Sequence, residues 1–105
     1  MAVDVFAALA DPTRRRVVTE LASRETVTAT ELARTLRVTR QAVAKHLTAL
    51  ADAGLAAPRR QGRETRYRLT PEPLEEAVSW IASVGDQWDE RLARLERHVG
   101  KQHRV

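Results

Sequence analysis

The chain has 105 residues, no cysteine and a formal net charge of +4. That length suits one domain with a modest core, and 43% hydrophobic with 30% charged residues is the composition of a folded soluble protein rather than a disordered one. The lack of cysteine excludes disulfides, thiolate metal sites and thiol redox switching; no apolar run approaches a membrane span and no signal peptide opens the chain, so the expected location is the cytoplasm, with no membrane partner.

Residues 3–10 read as a short first helix with Val5, Phe6 and Leu9 as its apolar contacts. Asp11-Pro12 then restarts the chain, because an aspartate can cap free N–H groups and proline suits the first helical position. A second helix over 13–23 turns Val17, Val18 and Leu21 inward. Its first turn carries Arg14, Arg15 and Arg16, three cations opposing the macrodipole that a carboxylate or phosphate would offset. A positioning helix over 30–36, with Leu32, Ala33 and Leu36, leads through Arg37-Val38 into a helix over 39–53 capped by Thr39. There Val43, Leu47 and Leu50 form one buried stripe, and Gly54 ends the helix as a left-handed cap.

Two short strands follow, over 55–59 and 65–69, around the arginine-rich turn Arg59-Arg60-Gln61-Gly62-Arg63. In the second strand Thr65, Tyr67 and Leu69 alternate with Arg66 and Arg68, a period of two. A terminal helix over 71–99 starts at Thr70-Pro71, with Pro73 still early enough to be tolerated. Along it Leu74, Val78, Ile81, Gly85, Trp88, Leu92, Leu95 and Val99 step by alternating fours and threes. This a/d seam wants a partner helix. A body of this size cannot cover a helix of roughly 40 Å, so the seam predicts a homodimer, joined by Phe6, with Gly85 allowing close backbone approach.

Helix, tight turn, helix and basic hairpin make a winged helix-turn-helix, a mainly α fold with a small β-hairpin wing and a long C-terminal dimerisation helix. The expected plan is one domain over 1–105, with the helix-turn-helix at 30–53, the wing at 55–69 and the dimerisation helix at 71–99. Charge agrees. Residues 37–70 hold eight basic side chains against Asp52 and Glu64, a net of +6, so the rest of the chain sums to −2. The positive excess sits in the reading helix and wing, as a polyanion-binding face requires. Burial of the Val43 stripe projects Arg40, Gln41, Ala44, Lys45 and Thr48 outward. Arg40 and Gln41 occupy the N-terminal turn that meets base edges, where Arg pairs with guanine and Gln with adenine, and Ala44 fits a thymine methyl. Thr39, Lys45 and Thr48 suit backbone phosphates, as do Arg60, Arg66 and Arg68 in the wing, with Arg63 at its tip for the minor groove. A two-fold dimer would place two reading helices about 34–36 Å apart on a pseudo-palindromic stretch of double-stranded DNA.

Ala10-Asp11-Pro12-Thr13-Arg14-Arg15-Arg16 entering Val17 and Leu21 resembles the opening of the ArsR/SmtB family of bacterial winged-helix regulators. So do Thr39, Val43, His46-Leu47, Leu50 and Ala53-Gly54-Leu55, with a wing ending at Tyr67-Arg68-Leu69. The resemblance covers roughly residues 5–70. It implies a homodimeric repressor on an inverted repeat, the promoter of its own gene included, and a dimer interface on the terminal helix. The chain departs from the metal-sensing branch. Positioning-helix cysteines of that branch would fall near Ala33 and Thr35, neither a soft-metal ligand, and no histidine follows Asp86 at the step that a terminal-helix zinc site needs. His98 and His103, five residues apart, point about 140° from each other on a helix, and Gly100 can end the helix between them. The resemblance is to the cysteine-free, non-metal branch, with no cofactor, and His46 reads as a packing or phosphate-contacting residue.

An enzyme is not expected. Ser23, Ser79 and Ser83 lie far in sequence from the histidines, and there is no phosphate loop or nucleophile elbow. The competing readings are a winged helix used as a protein-interaction module and a metal-responsive repressor with non-cysteine ligands.

Overall fold

The computed structural model describes residues 2–103, with side chains described for residues 5–98. In chain order its elements are α1 (Ala2–Leu9), α2 (Pro12–Ser23), β1 (Val27–Thr28), α3 (Ala29–Leu36), α4 (Arg40–Asp52), β2 (Ala56–Gln61), β3 (Glu64–Leu69) and α5 (Glu72–His103). The starts of α2 and α4 and the end of α4 have local causes. Asp11 accepts the Arg14 N–H at 2.9 Å with Pro12 in the first helical position of α2. Thr39 accepts the Ala42 N–H at 3.1 Å to start α4. Gly54, at φ +76°, turns the chain out of α4 in the left-handed region that glycine favours.

The positioning helix begins earlier than the sequence pattern indicated. Its cap is Thr28, in a reciprocal capping box: the Thr28 hydroxyl accepts the Glu31 N–H at 3.1 Å and the Glu31 carboxylate accepts the Thr28 N–H at 2.8 Å. The same stretch forms β1, a strand that the sequence reading lacked because two residues show no periodicity. It pairs antiparallel with β3, Val27 opposite Tyr67, giving the sheet order β1-β3-β2. The turn between α3 and α4 passes through Arg37 at φ 55°, a left-handed conformation without glycine. Both the Arg37 and the Val38 N–H return to the Ala33 carbonyl.

The core lies where four helices meet the sheet. Val5 from α1, Val17 and Leu21 from α2, Leu32 from α3, and Val43, Leu47 and Leu50 from α4 are buried with Val27 and Leu55. Leu55 precedes β2 instead of opening it, anchored by its N–H to the Leu50 carbonyl at 2.8 Å. Among the described residues the α2 arginines make no ion pair with a carboxylate. Arg15 donates to the Leu9 carbonyl at 2.8 Å and Arg16 to the Leu36 carbonyl at 3.3 Å, so cations crowded at one helix start satisfy the ends of two others.

Among the described residues helix α5 packs on this body near its start, through buried Ala77, half-buried Leu74 and Trp80 against Phe6. It runs on through Gly100, which does not end it, and the molecule extends 74 Å in its long direction against 25 and 21 Å across. The side chains of Val99 and His103 lie outside the described residues.

Two outcomes follow for stability. Leu47→Ala removes a fully buried side chain of α4 and should cost about 2–5 kcal/mol in urea denaturation, a large share of a small domain's total. The Arg14 N–H holds the Asp11 carboxyl below the usual carboxylate range, and the Thr28 N–H does the same to Glu31. A carboxyl with a lowered folded pKa adds stability that is in place above its unfolded value and lost as pH falls through the folded one. The urea midpoint should therefore drop below about pH 4.3, and Asp11→Asn and Glu31→Gln should each flatten that drop.

Candidate nucleic-acid interface

Burying Val43, Leu47 and Leu50 rotates the opposite side of α4 to solvent. Thr39, Arg40, Gln41, Ala44, Lys45 and Thr48 are all exposed there. The first turn of α4 contains no acidic residue, so its positive helix end adds to the Arg40 charge. Arg40 and Ala44 look toward the wing, across a groove of about 580 Å³ that Arg34, Arg60, Arg63 and Tyr67 also line. Lys45 and Thr48 border the other flank of the helix, next to Arg14. His46 lies between these flanks and the core, half-buried, its Nδ1 accepting from Arg14 Nε at 3.3 Å. This ties α4 to the start of α2.

The hairpin closes through a two-residue turn, Gly62-Arg63, with Gly62 at φ 60°. Gln61 pairs with Glu64, Arg60 with Thr65, Arg59 with Arg66 and Ala57 with Arg68. Partners across an antiparallel pair share a face. Arg60 therefore joins Thr65 and Tyr67 on the side of the reading helix, whereas Arg59, Arg66 and Arg68 occupy the opposite side. That opposite side borders a second groove, of about 710 Å³, near Arg24 and Pro71. The structure thus brings Arg40, Ala44, Arg60 and Arg63 together and separates Arg66 and Arg68 from them. Arg34, which sequence reading did not single out, joins the first group. Only the strand register, invisible in either strand alone, makes this division.

Helix α5 presents an apolar face. Phe6, Val78, Trp80, Ile81, Val84, Trp88, Leu92 and Leu95 are large hydrophobic side chains that remain exposed. Trp80 meets Phe6 edge to face, ring centroids 5.4 Å apart. At about 100° per residue these α5 side chains cover an arc on the order of 160°, wider than an a/d seam. Trp80 and Val84 widen it beyond the heptad expectation, and Leu74 at its start serves the chain's own core. A Cβ at Gly85 would meet nothing within 4 Å, so nothing in this chain's own packing calls for glycine there. Among the described residues no cluster of His, Asp or Glu is arranged to hold a metal ion, and no helix is long and apolar enough to cross a membrane.

Known proteins share this architecture. A family described as a helix-turn-helix domain matches residues 9–59. The HTH-type transcriptional regulator YuzN of Bacillus subtilis is 40% identical over 84 residues, covering 73% of this chain and 91% of that protein. Among solved structures, an ArsR-like transcriptional regulator from Rhodococcus sp. RHA1 superposes with a TM-score of 0.78 at 42% identity, covering 91% of this chain and 90% of that one. The homodimeric winged helix-turn-helix DNA-binding domain of a possible ArsR-family regulator from Mycobacterium bovis superposes with a TM-score of 0.64 at 25% identity, over 81% and 78% of the two chains. These relatives are transcriptional regulators, not enzymes, and with its reading helix, basic wing and long terminal helix the chain belongs to the ArsR family of winged helix-turn-helix transcriptional regulators.

Proposed function

We propose that the protein is a cytoplasmic homodimeric repressor that binds a pseudo-palindromic operator, with the promoter of its own gene as the first candidate. The observation that carries this reading is the exposed, acid-free first turn of α4 facing Arg60 and Arg63 of the wing across one groove. Arg40 and Gln41 read base edges, and Ala44 packs on a thymine methyl. Thr39, Lys45, Thr48 and Arg60 hold phosphates and set register, and Arg63 enters the minor groove. Arg68, on the outer face of the hairpin, is left for phosphates of flanking DNA. Repression needs no further chemistry, since a dimer seated on a promoter occupies the DNA that polymerase requires.

The dimer is formed by α1 and α5 with their two-fold mates. Exposed apolar patches of this size on one face mark an interface, and the breadth of the arc asks for more than one helix from the partner. Phe6, Val78, Trp80, Ile81, Val84, Trp88, Leu92 and Leu95 supply the contact, and Gly85 admits a neighbouring backbone. That the Mycobacterium bovis neighbour is homodimeric supports a homodimer as such.

Fluorescence anisotropy at about 150 mM salt tests the reading, because phosphate contacts alone give weak, unselective binding in that range. Duplex from upstream of the protein's own gene should bind about a hundredfold tighter than a scrambled duplex, and equal weak binding to both would remove that promoter as the operator. No binding to either would favour a protein-interaction module. Arg40→Ala and Gln41→Ala should each cost about 1–3 kcal/mol of discrimination, whereas Lys45→Ala should weaken all duplexes alike and lower the salt slope. The double variant Ile81→Glu/Trp88→Glu should run as a folded monomer in light scattering, with unchanged circular dichroism. Loss of the second half-site should then weaken operator binding about a hundredfold or more.

A further inference from the structure

Within the wing, one arginine is placed unlike the others. The Arg66 side chain is 22% exposed and shares its guanidinium among three partners of its own chain. Its Nη2 donates to Glu31 Oε1 at 3.2 Å, its Nη1 to Glu64 Oε2 at 3.2 Å and its Nε to Thr26 Oγ1 at 2.9 Å. Glu31 stands in the first turn of α3, and the same Oε1 accepts the Thr28 N–H at 2.8 Å. One carboxylate oxygen therefore serves both the cap of the positioning helix and the root of the wing.

We infer that Arg66 is a positioning residue that fixes the wing against the helix-turn-helix through Glu31, and is not itself a ligand of DNA. This rests on the α4–wing groove being the DNA-binding face. Beyond the Arg59–Arg66 pair the hairpin has only two more residue pairs and its turn, with no buried side chain among them. A bare two-stranded ribbon is marginal in water, so the end that carries Arg60 and Arg63 has no apolar anchor of its own. Arg66 lies at the last level where the ribbon can be held to the body. Its planar fork reaches three acceptors at once, which a lysine ammonium on a flexible stem does not reproduce. The two glutamates also offset the unfavourable facing of Arg59 and Arg66 across the strands. Exposed ion pairs contribute little to global stability, so the effect falls on where the wing points.

The decisive sign comes from Glu31→Gln. Glutamine still caps the helix, and the substitution removes a negative charge from beside a polyanion, which by electrostatics alone tightens DNA binding. The bracket gives the opposite result: binding to the duplex that wild-type protein selects from a randomised pool weakens about two- to tenfold. Arg66→Ala should weaken it similarly, the double variant no further, and Arg66→Ala should cost little once Arg63→Ala has removed the tip contact. Tighter binding by Glu31→Gln, or fully additive losses, overturns the proposal. A second readout needs no DNA. Amide exchange at Gln61, Arg63 and Glu64 of the free protein should accelerate in both single variants, while the urea midpoint of Arg66→Ala moves little, and unchanged exchange overturns the bracket. If the wild type selects no duplex, the DNA-binding reading fails and the exchange measurement alone decides the bracket.

Discussion

What α4 offers outward follows from what it hides inward. Val43, Leu47 and Leu50 are fully buried, and at 3.6 residues per turn that choice leaves one rotational setting for the helix. Arg40, Gln41, Ala44, Lys45 and Thr48 then face solvent without any interaction having to put them there. The other helices serve the same setting: α2 through Val17, Leu21 and the Arg14–His46 contact, α3 through Leu32 and Leu36. A core of small volume thus works as a mount for one helix, and the hydrophobic effect, which has no direction of its own, acquires one from the stripe.

The helices were legible because their signals are local and redundant. Asp11-Pro12, Thr39 and Gly54 act within four residues of the boundaries that they set, and the α4 stripe repeats three times. The two-residue β1 carries no period. The Thr28–Glu31 capping box was present in the sequence, yet the apolar pattern alone placed the helix over 30–36, two residues after its true cap. Thr28 prevails because pairing with β3 fixes its backbone in the extended form that a cap needs. The alternation within β3 was legible, but which of its faces Arg59 and Arg60 share, and which face meets α4, was not, because both depend on the pairing of the strands. Of the α5 heptad, Val78, Ile81, Trp88, Leu92 and Leu95 are exposed as the pattern indicated, whereas Leu74 packs on the body. The width of the face escaped, since Trp80 and Val84 stand off the a/d positions and the contact of Phe6 with Trp80 is between two helices.

Arginine does two kinds of work in this chain, sorted by position. Where backbone carbonyls are left over at helix ends, Arg15 and Arg16 satisfy them; where a carboxylate stands near, Arg66 takes it. Among the described residues Arg40, Arg60 and Arg63 make no ion pair with an acidic side chain, and Arg60 donates only to the Gly62 carbonyl of its own turn at 3.2 Å. Their charge faces the groove beside α4, and it is this difference in pairing, more than the count of basic residues, that sets them apart from Arg66.

The hairpin turn sets a limit on how such a wing can vary over evolution. Its two residues leave no slack: Gln61 and Glu64 are already paired, and Gly62 supplies the positive φ that closes the loop. Side chains alternate across a strand, so losing or gaining a single residue in β2 exchanges its two sides. Arg59 would then stand beside the reading helix and Arg60 would turn to the outer groove. Length changes are thus confined to steps of two, or to the strand root, whereas side-chain changes at the tip, Gly62 apart, leave the register as it is. Descendants of this sequence can alter what the wing touches by substitution, and can alter its reach only in whole rungs of the ladder.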